Sequence, residues 1–313
     1  MELIKIPNVS PLYLLEQVDV LKSIGHAAIQ GLTQSKDKKV NIEELLQKTF
    51  PEYYQVLQPR SNKLIDDYLK FLKANVAAYK GEVPFHFFPQ WAFPVIERAL
   101  SDLPFNFIEI MNAGYKAEIN GPIPRNEKIY VKAQLQKIEE KNNILYFTTK
   151  VVSETETSKE ALIAYLTTLL RLPKKEKSNT SEKKNKTVQE YVVPFEAKEI
   201  ASFNFPSNTG LNYSLLSGDV NPVHWLEPYA NMMGFKRVIL HGFASSAFSI
   251  EAINNNLFAG NVSKIKEIEI KFTKPLLLPA KPKLYYLREN NHFYLADAKL
   301  ARAYLVGNFK TKE

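Results

Sequence analysis

The sequence predicts an α+β fold built from two copies of one unit, each a central helix wrapped by an antiparallel sheet. Three observations predict it. An apolar helix followed by a meander of strand-like runs occurs twice, in the same order. A polar, Lys-rich stretch separates the two occurrences. The 313 residues match the length of about two domains, and 45% hydrophobic content is that of a folded globular chain.

The opening residues mix helical and polar segments without a clear period. After Gly81 the pattern sharpens. Pro89–Ser101 places Trp91, Val95, Ile96, Ala99 and Leu100 at helical spacing and reads as a buried helix. Lys128–Leu135 alternates Ile129, Val131, Ala133 and Leu135 with polar neighbours, and Ile144–Val152 and Ala161–Leu172 follow as strands. Gly121-Pro122-Ile123-Pro124 marks a turn among them. The second copy has its helix at Gly242–Leu257, then Lys264–Phe272 with Ile268, Ile270 and Phe272 on one face. Pro275 and Pro279 mark a turn, and Lys283–Arg288, His292–Lys299 and Ala301–Phe309 complete the meander. Between the copies, Lys174–Lys186 holds six Lys and two Glu, so it carries +4 of the chain's net +8. It reads as a solvated linker. The chain therefore divides into 1–172, a linker at 173–190, and 191–313.

Composition excludes several classes. With no Cys there is no disulfide framework, thiolate metal site or Cys nucleophile. The five His form no HExxH pair, and no metal site is expected. GxSxG, GxGxxG and GxxxxGK[ST] are all missing, against a nucleophile-elbow hydrolase or a nucleotide-phosphate enzyme of those types. The basic residues are not interleaved with aromatics, so no nucleic-acid partner is expected. Val83–Ile96 and Val238–Ile250, the most apolar uncharged stretches, are shorter than the ~18 residues of a membrane span. The start carries charges and a Pro where a signal peptide needs an apolar core. A cytoplasmic protein without a membrane partner is the expectation. Asp66-Asp67 reads as a solvated acidic pair on a helix.

The chemistry concentrates between the linker and the second helix. Tyr213-Ser-Leu-Leu-Ser217-Gly218-Asp219-Val-Asn221-Pro222-Val-His224 continues to Ala230, Gly234-Phe235 and Val238-Ile-Leu-His241-Gly242. Asn208–Leu216 can form a short helix that Gly218 stops in the left-handed conformation, leaving Asp219 on a loop. Asn221-Pro222 then forces a bend that can bring the Asp219 carboxylate to the His224 imidazole. Taken singly, these residues read as turn chemistry and a hydrogen-bonded core histidine. A turn, however, does not need Gly-Asp and Asn-Pro together with a His and a helix-opening His-Gly.

The string resembles the hydratase motif of the MaoC-like dehydratases, the (R)-specific enoyl-CoA hydratases of the hotdog fold. The resemblance is strong over 191–313 and weaker over about 81–172, where no such string occurs. It implies a double hotdog in which a degenerate first unit supplies the partner that single-hotdog relatives obtain from a second chain. It implies reversible hydration of trans-2-enoyl thioesters to (R)-3-hydroxyacyl thioesters in fatty-acid metabolism. Asp219 and His224 match the catalytic pair that activates water. Gly242 matches the glycine whose N–H binds the thioester oxygen. Asn221, His241 and Ser217 take supporting roles: Asn221 fixing the bend or orienting His224, His241 hydrogen-bonding at the helix entry. Where many relatives carry a helix Ser near the pair, this chain has Ile250, with Ser249 beside it. No cofactor is implied. The substrate carrier is coenzyme A or acyl carrier protein; a homodimer beyond the internal pseudo-dimer stays open. A non-catalytic acyl-thioester binding subunit of the same fold is the alternative.

Overall fold

In the computed structural model, which describes residues 9–18, 21–22, 41–105, 109–172 and 191–312, both halves follow one course. The first contains α1 (Ile42–Gln47), β1 (Glu52–Leu57), α2 (Asn62–Phe71), α3 (Pro89–Ser101) and strands β2 (Met111–Ile119), β3 (Ile129–Lys141), β4 (Ile144–Glu154) and β5 (Leu162–Arg171). The second contains β6 (Lys198–Ser202), α4 (Thr209–Ser217), α5 (Glu227–Met232), β7 (Ile239–Leu240), α6 (Gly242–Leu257), β8 (Ile265–Phe272), β9 (Leu276–Leu277), β10 (Lys283–Leu287), β11 (His292–Ala296) and β12 (Ala303–Thr311). The Lys-rich linker at 173–190 lies outside the described residues.

Ten strands form one sheet in the order β1-β3-β4-β5-β2-β8-β12-β11-β10-β6. Read from the two ends, the order is a mirror: β1 corresponds to β6, β3 to β10, β4 to β11, β5 to β12 and β2 to β8. All neighbours pair antiparallel. Period-two alternation puts one side of each strand in the core; in β4 every second residue from Leu145 to Ser153 is buried. The central helices are buried nearly all round, as their apolar composition requires. Along α6 every side chain from Phe243 to Asn254 is buried, and α3 buries ten of its thirteen residues. The helix and strand expectations from Pro89 onward hold, with boundaries moved by a few residues at most.

The β2–β8 pair joins the halves, with Tyr115 opposite Ile270 and Ala117 opposite Ile268. On the outer face Glu118 lies opposite Glu267. Lys116 sits 3.0 Å from Glu118 and 3.2 Å from Glu267, so the like charges share a cation. Gly114 has no room for a side chain here, because an added Cβ would lie 2.1 Å from the Ile270 carbonyl oxygen. A second buried contact crosses the halves: His86, just before α3, places Nε2 2.7 Å from the Glu251 carboxylate of α6. Tyr79 donates its hydroxyl to the same Glu251 oxygen, and the Tyr68 hydroxyl lies 3.0 Å from His86 Nδ1.

The Asp66-Asp67 expectation needs correction. Arg125 donates to Asp66 at 2.6 Å, and Asp67 accepts from Lys63 at 2.7 Å and from the Tyr13 hydroxyl. Asp66 ties α2 to Arg125 and Asp67 ties it to Tyr13, while both carboxylates stay partly exposed.

Gly114→Ala tests the seam. A carbonyl is backbone and cannot swing aside, so the strands must separate locally. We expect a loss of at least about 2 kcal/mol in urea unfolding, while Gly234→Ala, where a Cβ would have nothing within 4 Å, costs less.

Candidate active site

The site is assembled by three successive stops in the chain. Helix α4 ends at Gly218, whose φ of 80° and N–H to Ser214 O at 2.8 Å form the left-handed cap read from the sequence. Ser217 supports this stop: its hydroxyl donates to Tyr213 O at 2.8 Å and accepts from the Asp219 N–H at 3.3 Å. Asn221 then heads a single turn, Pro222–His224, accepting from Val223 N–H through Oδ1 at 3.2 Å. The Asn221 N–H also reaches Asp219 Oδ1 at 3.4 Å, so one residue fixes both sides of the bend. Finally β7 delivers His241 and Gly242 to the start of α6.

A carboxylate oxygen of Asp219 and one ring nitrogen each from His224 and His241 lie within 4.8 Å of one another. His224 Nδ1 is 2.9 Å from Ile239 O. A carbonyl only accepts, so Nδ1 carries the proton and Nε2 is left with its lone pair free. His241 Nε2 lies 3.0 Å from the Asp219 backbone carbonyl, which assigns its proton to Nε2 by the same logic. The two imidazoles stack at 3.5 Å between centroids with planes 24° apart. A cation in the plane of one ring would lie well out of the plane of the other. This trio is therefore a poor metal cage and a good holder of hydrogen-bonded water.

Burial sets the electrostatics. Desolvation raises the Asp219 pKa above the ordinary carboxylate value, opposed by His224 and the Asn221 N–H. Desolvation lowers the His224 pKa, opposed by Asp219 and by the bond to Ile239. His241 falls well below the usual imidazole value, first from desolvation and then from His224 beside it. Both rings are neutral at pH 7.

Gly242 opens α6, so its N–H has no partner inside the helix and lies at the positive end of the helix dipole. The Phe272 ring packs against it, 2.9 Å from where a Cβ would stand. The helix-entry role expected of His241 is not what its side chain does. It makes no cap hydrogen bond; only its backbone carbonyl serves the helix, accepting from Ser245 N–H at 3.0 Å. The ring instead lies between Tyr213, 4.7 Å away, and His224. The position just before the helix suggested a cap, but the stacking partners Tyr213 and His224 lie 28 and 17 residues earlier in the sequence. Ser249 spends its hydroxyl on Ser245 O at 2.8 Å and Ile250 is buried, so neither adds a polar group to the pair.

Two positioning features escaped the sequence reading. Ile239 fixes the His224 tautomer through a backbone carbonyl, which leaves no mark on residue type. Gly210 does leave one: a Gly inside α4 is unfavourable unless something approaches closely. An added Cβ there would sit 2.0 Å from His224 O, so this Gly lets the helix support the catalytic turn. The first half contains a counterpart of the whole arrangement. Lys73 is left-handed at φ 62°, Asn75 heads the single turn Val76–Tyr79, and His86 precedes α3. Ala78 follows Asn75 by three residues, as His224 follows Asn221, and Glu251 fills the space beside His86.

The chain is similar to several known proteins. Residues 176–294 match the family model described as MaoC like domain. Over 206 residues the chain is 24% identical to peroxisomal multifunctional enzyme type 2 of Mus musculus, covering 63% of this chain and 28% of that protein. Over 177 residues it is 28% identical to the peroxisomal enoyl-CoA hydratase 2 of Arabidopsis thaliana, covering 50% and 52%. The chain thus spans about half or less of the length of these curated relatives. The crystal structure of a MaoC-like dehydratase from Phytophthora capsici superposes with a TM-score of 0.70 at 17% identity, covering 88% of this chain and 98% of that one. The double hotdog expected from the motif is the fold of these solved neighbours: a Mycobacterium tuberculosis protein described as having a double hotdog fold superposes with a TM-score of 0.53 at 8% identity, covering 84% of this chain and 96% of that one, while the MaoC like domain match is confined to residues 176–294.

Proposed function

We propose that the protein is a hydro-lyase that reversibly hydrates trans-2-enoyl thioesters to (R)-3-hydroxyacyl thioesters. The observation that carries this reading is a half-buried Asp219 and a neutral His224, with Nε2 free, beside the N–H groups that open α6 and have no partner within the helix. A water held between Asp219 and His224 gives up a proton as its oxygen adds to C3. Negative charge moves through C2 to the thioester oxygen, where the Gly242 N–H and the helix dipole stabilise it. A proton returned from the pair to C2 completes the addition. Dehydration runs the same steps backwards. Donors already aimed at the developing charge need no reorganisation in the transition state, which is why the Gly242 N–H favours C3 addition.

The chain is divided, on this reading, into a degenerate hotdog at 1–172, a linker at 173–190 and a catalytic hotdog at 191–313. The mirror order of the sheet supports that division. The first half supplies the facing wall of the acyl pocket: Phe88 and Tyr115 meet Phe243 at 5.8 and 5.6 Å between ring centroids. The substrate carries an acyl group on a phosphopantetheine arm, and no resident cofactor takes part. No helix of the described residues is long and apolar enough to cross a membrane. Our reading of the compartment is cytoplasmic, although the two curated relatives are peroxisomal by name.

Offering crotonyl-CoA and longer enoyl-CoAs, and following the loss of enoyl-thioester absorbance with chiral analysis of product, tests the reaction. Turnover to the (R)-alcohol is expected. Asp219→Asn and His224→Ala should each lower kcat by at least about 10²-fold in a folded protein, with little further loss in the double variant, since both act on one water. Near-native turnover in either would overturn the assignment.

The same burial makes a stability prediction. The folded pKa of Asp219 lies above its unfolded value, so the contribution is favourable below the unfolded value and is lost as pH rises through the folded one. At pH 7 the ionised Asp219 destabilises the fold. Asp219→Asn is therefore expected to raise Tm at pH 7 while abolishing turnover, and the gain should shrink as pH falls towards 4. A lower Tm at pH 7 would show that the carboxylate is held mainly by favourable partners.

A further inference from the structure

We propose that the surface following His224 docks an acidic carrier protein that presents the acyl thioester, an inference that rests on the function proposed above. Four large apolar side chains are exposed within nine residues of the catalytic turn: Trp225 at 40%, Leu226 at 41%, Met232 at 72% and Met233 at 39%. Single exposed apolar residues are ordinary; a cluster of this size beside a functional opening is not. These four bracket α5, which packs directly on the Pro222–His224 turn, and Trp225 is tied to the site loop by its Nε1–H to Val220 O at 3.0 Å. Helix α5 has one acidic residue, Glu227, and is followed by Lys236 and Arg237, both exposed and without an ion-pair partner among the described residues. Arg237 stands two residues before Ile239, whose carbonyl orients His224.

Charge and shape select the occupant. Two cations without an ion-pair partner among the described residues, beside four exposed apolar side chains around a short helix, complement an acidic protein with an apolar contact strip. Free coenzyme A would use the cations for its phosphates but gives no reason to expose Met232 and Met233. The chain's own Lys174–Lys186 stretch has the same sign as Lys236 and Arg237 and would be repelled. Asp219 and His224 are both partly exposed, so the site opens to the surface on which this patch lies. A docked carrier would therefore deliver its arm over Trp225 and into the pair.

The test compares one enoyl chain carried by acyl carrier protein or by coenzyme A. The variants are Lys236→Glu/Arg237→Glu and Met232→Ser/Met233→Ser, with thermal unfolding as the control for folding. Each double variant should lower kcat/KM on the carrier-protein thioester by about tenfold or more, most steeply at low ionic strength for the charge reversal. Turnover of the coenzyme A thioester should stay within about twofold. Equal losses on both carriers would overturn the proposal in favour of a phosphate site for coenzyme A. No loss on either would also overturn it, as would a dimer in light scattering that the Met variants dissociate. In all three cases retained hydration of crotonyl-CoA leaves the proposed reaction standing. Only failure of the wild-type protein on both carriers would sink the reaction itself.

Discussion

The antiparallel pairing of β2 with β8 is the constraint on which the rest of the structure depends. Five residue pairs carry it, from Gly114–Lys271 to Glu118–Glu267. It turns two five-stranded sheets into one and leaves neither β2 nor β8 as an open edge. It also fixes which faces of the two central helices meet the shared core, so that Phe88 and Tyr115 of one half reach Phe243 of the other. The close approach is possible because position 114 has no side chain.

Within that frame, the site works by withholding water from charges. Asp219 and His224 are pushed towards their neutral forms by burial, and each is held back by the other. Desolvation shifts the two groups in opposite directions, the carboxyl upward and the imidazole downward, and so brings their proton affinities closer together. His241, its pKa held well below the usual imidazole value by desolvation and by His224, offers a flat, uncharged surface to the His224 ring. Carbonyl oxygens of Ile239 and Asp219 choose the tautomers, so backbone geometry decides which ring nitrogen of His224 keeps its lone pair.

What the sequence revealed, and what it hid, follows from the kinds of signal involved. The helices at Pro89 and Gly242 and the strand alternation of Ile268 and Ile270 were legible because burial is written in period. The catalytic bend was legible because Gly218, Asn221 and Pro222 each demand particular backbone angles. The stack of His241 on His224, the tautomer set by Ile239 and the particular strands, β2 and β8, that join the two sheets were not legible. They depend on contacts between segments far apart in sequence or on backbone atoms that every residue possesses. Asp66 and Asp67 looked like a solvated pair because their partners Arg125 and Tyr13 lie about 55 residues away on either side. Gly210 lies between these cases: the residue gave notice of a close approach but not of what approached.

The contact between His86 and Glu251 has an evolutionary consequence. In an ancestral pair of identical units, either unit could have been replaced by a copy of the other. Once Glu251 came to depend on a partner present only in the first half, that interchangeability ended. His241, which precedes α6 as His86 precedes α3, packs on Tyr213 and His224 instead, so the two halves do not present interchangeable surfaces to each other.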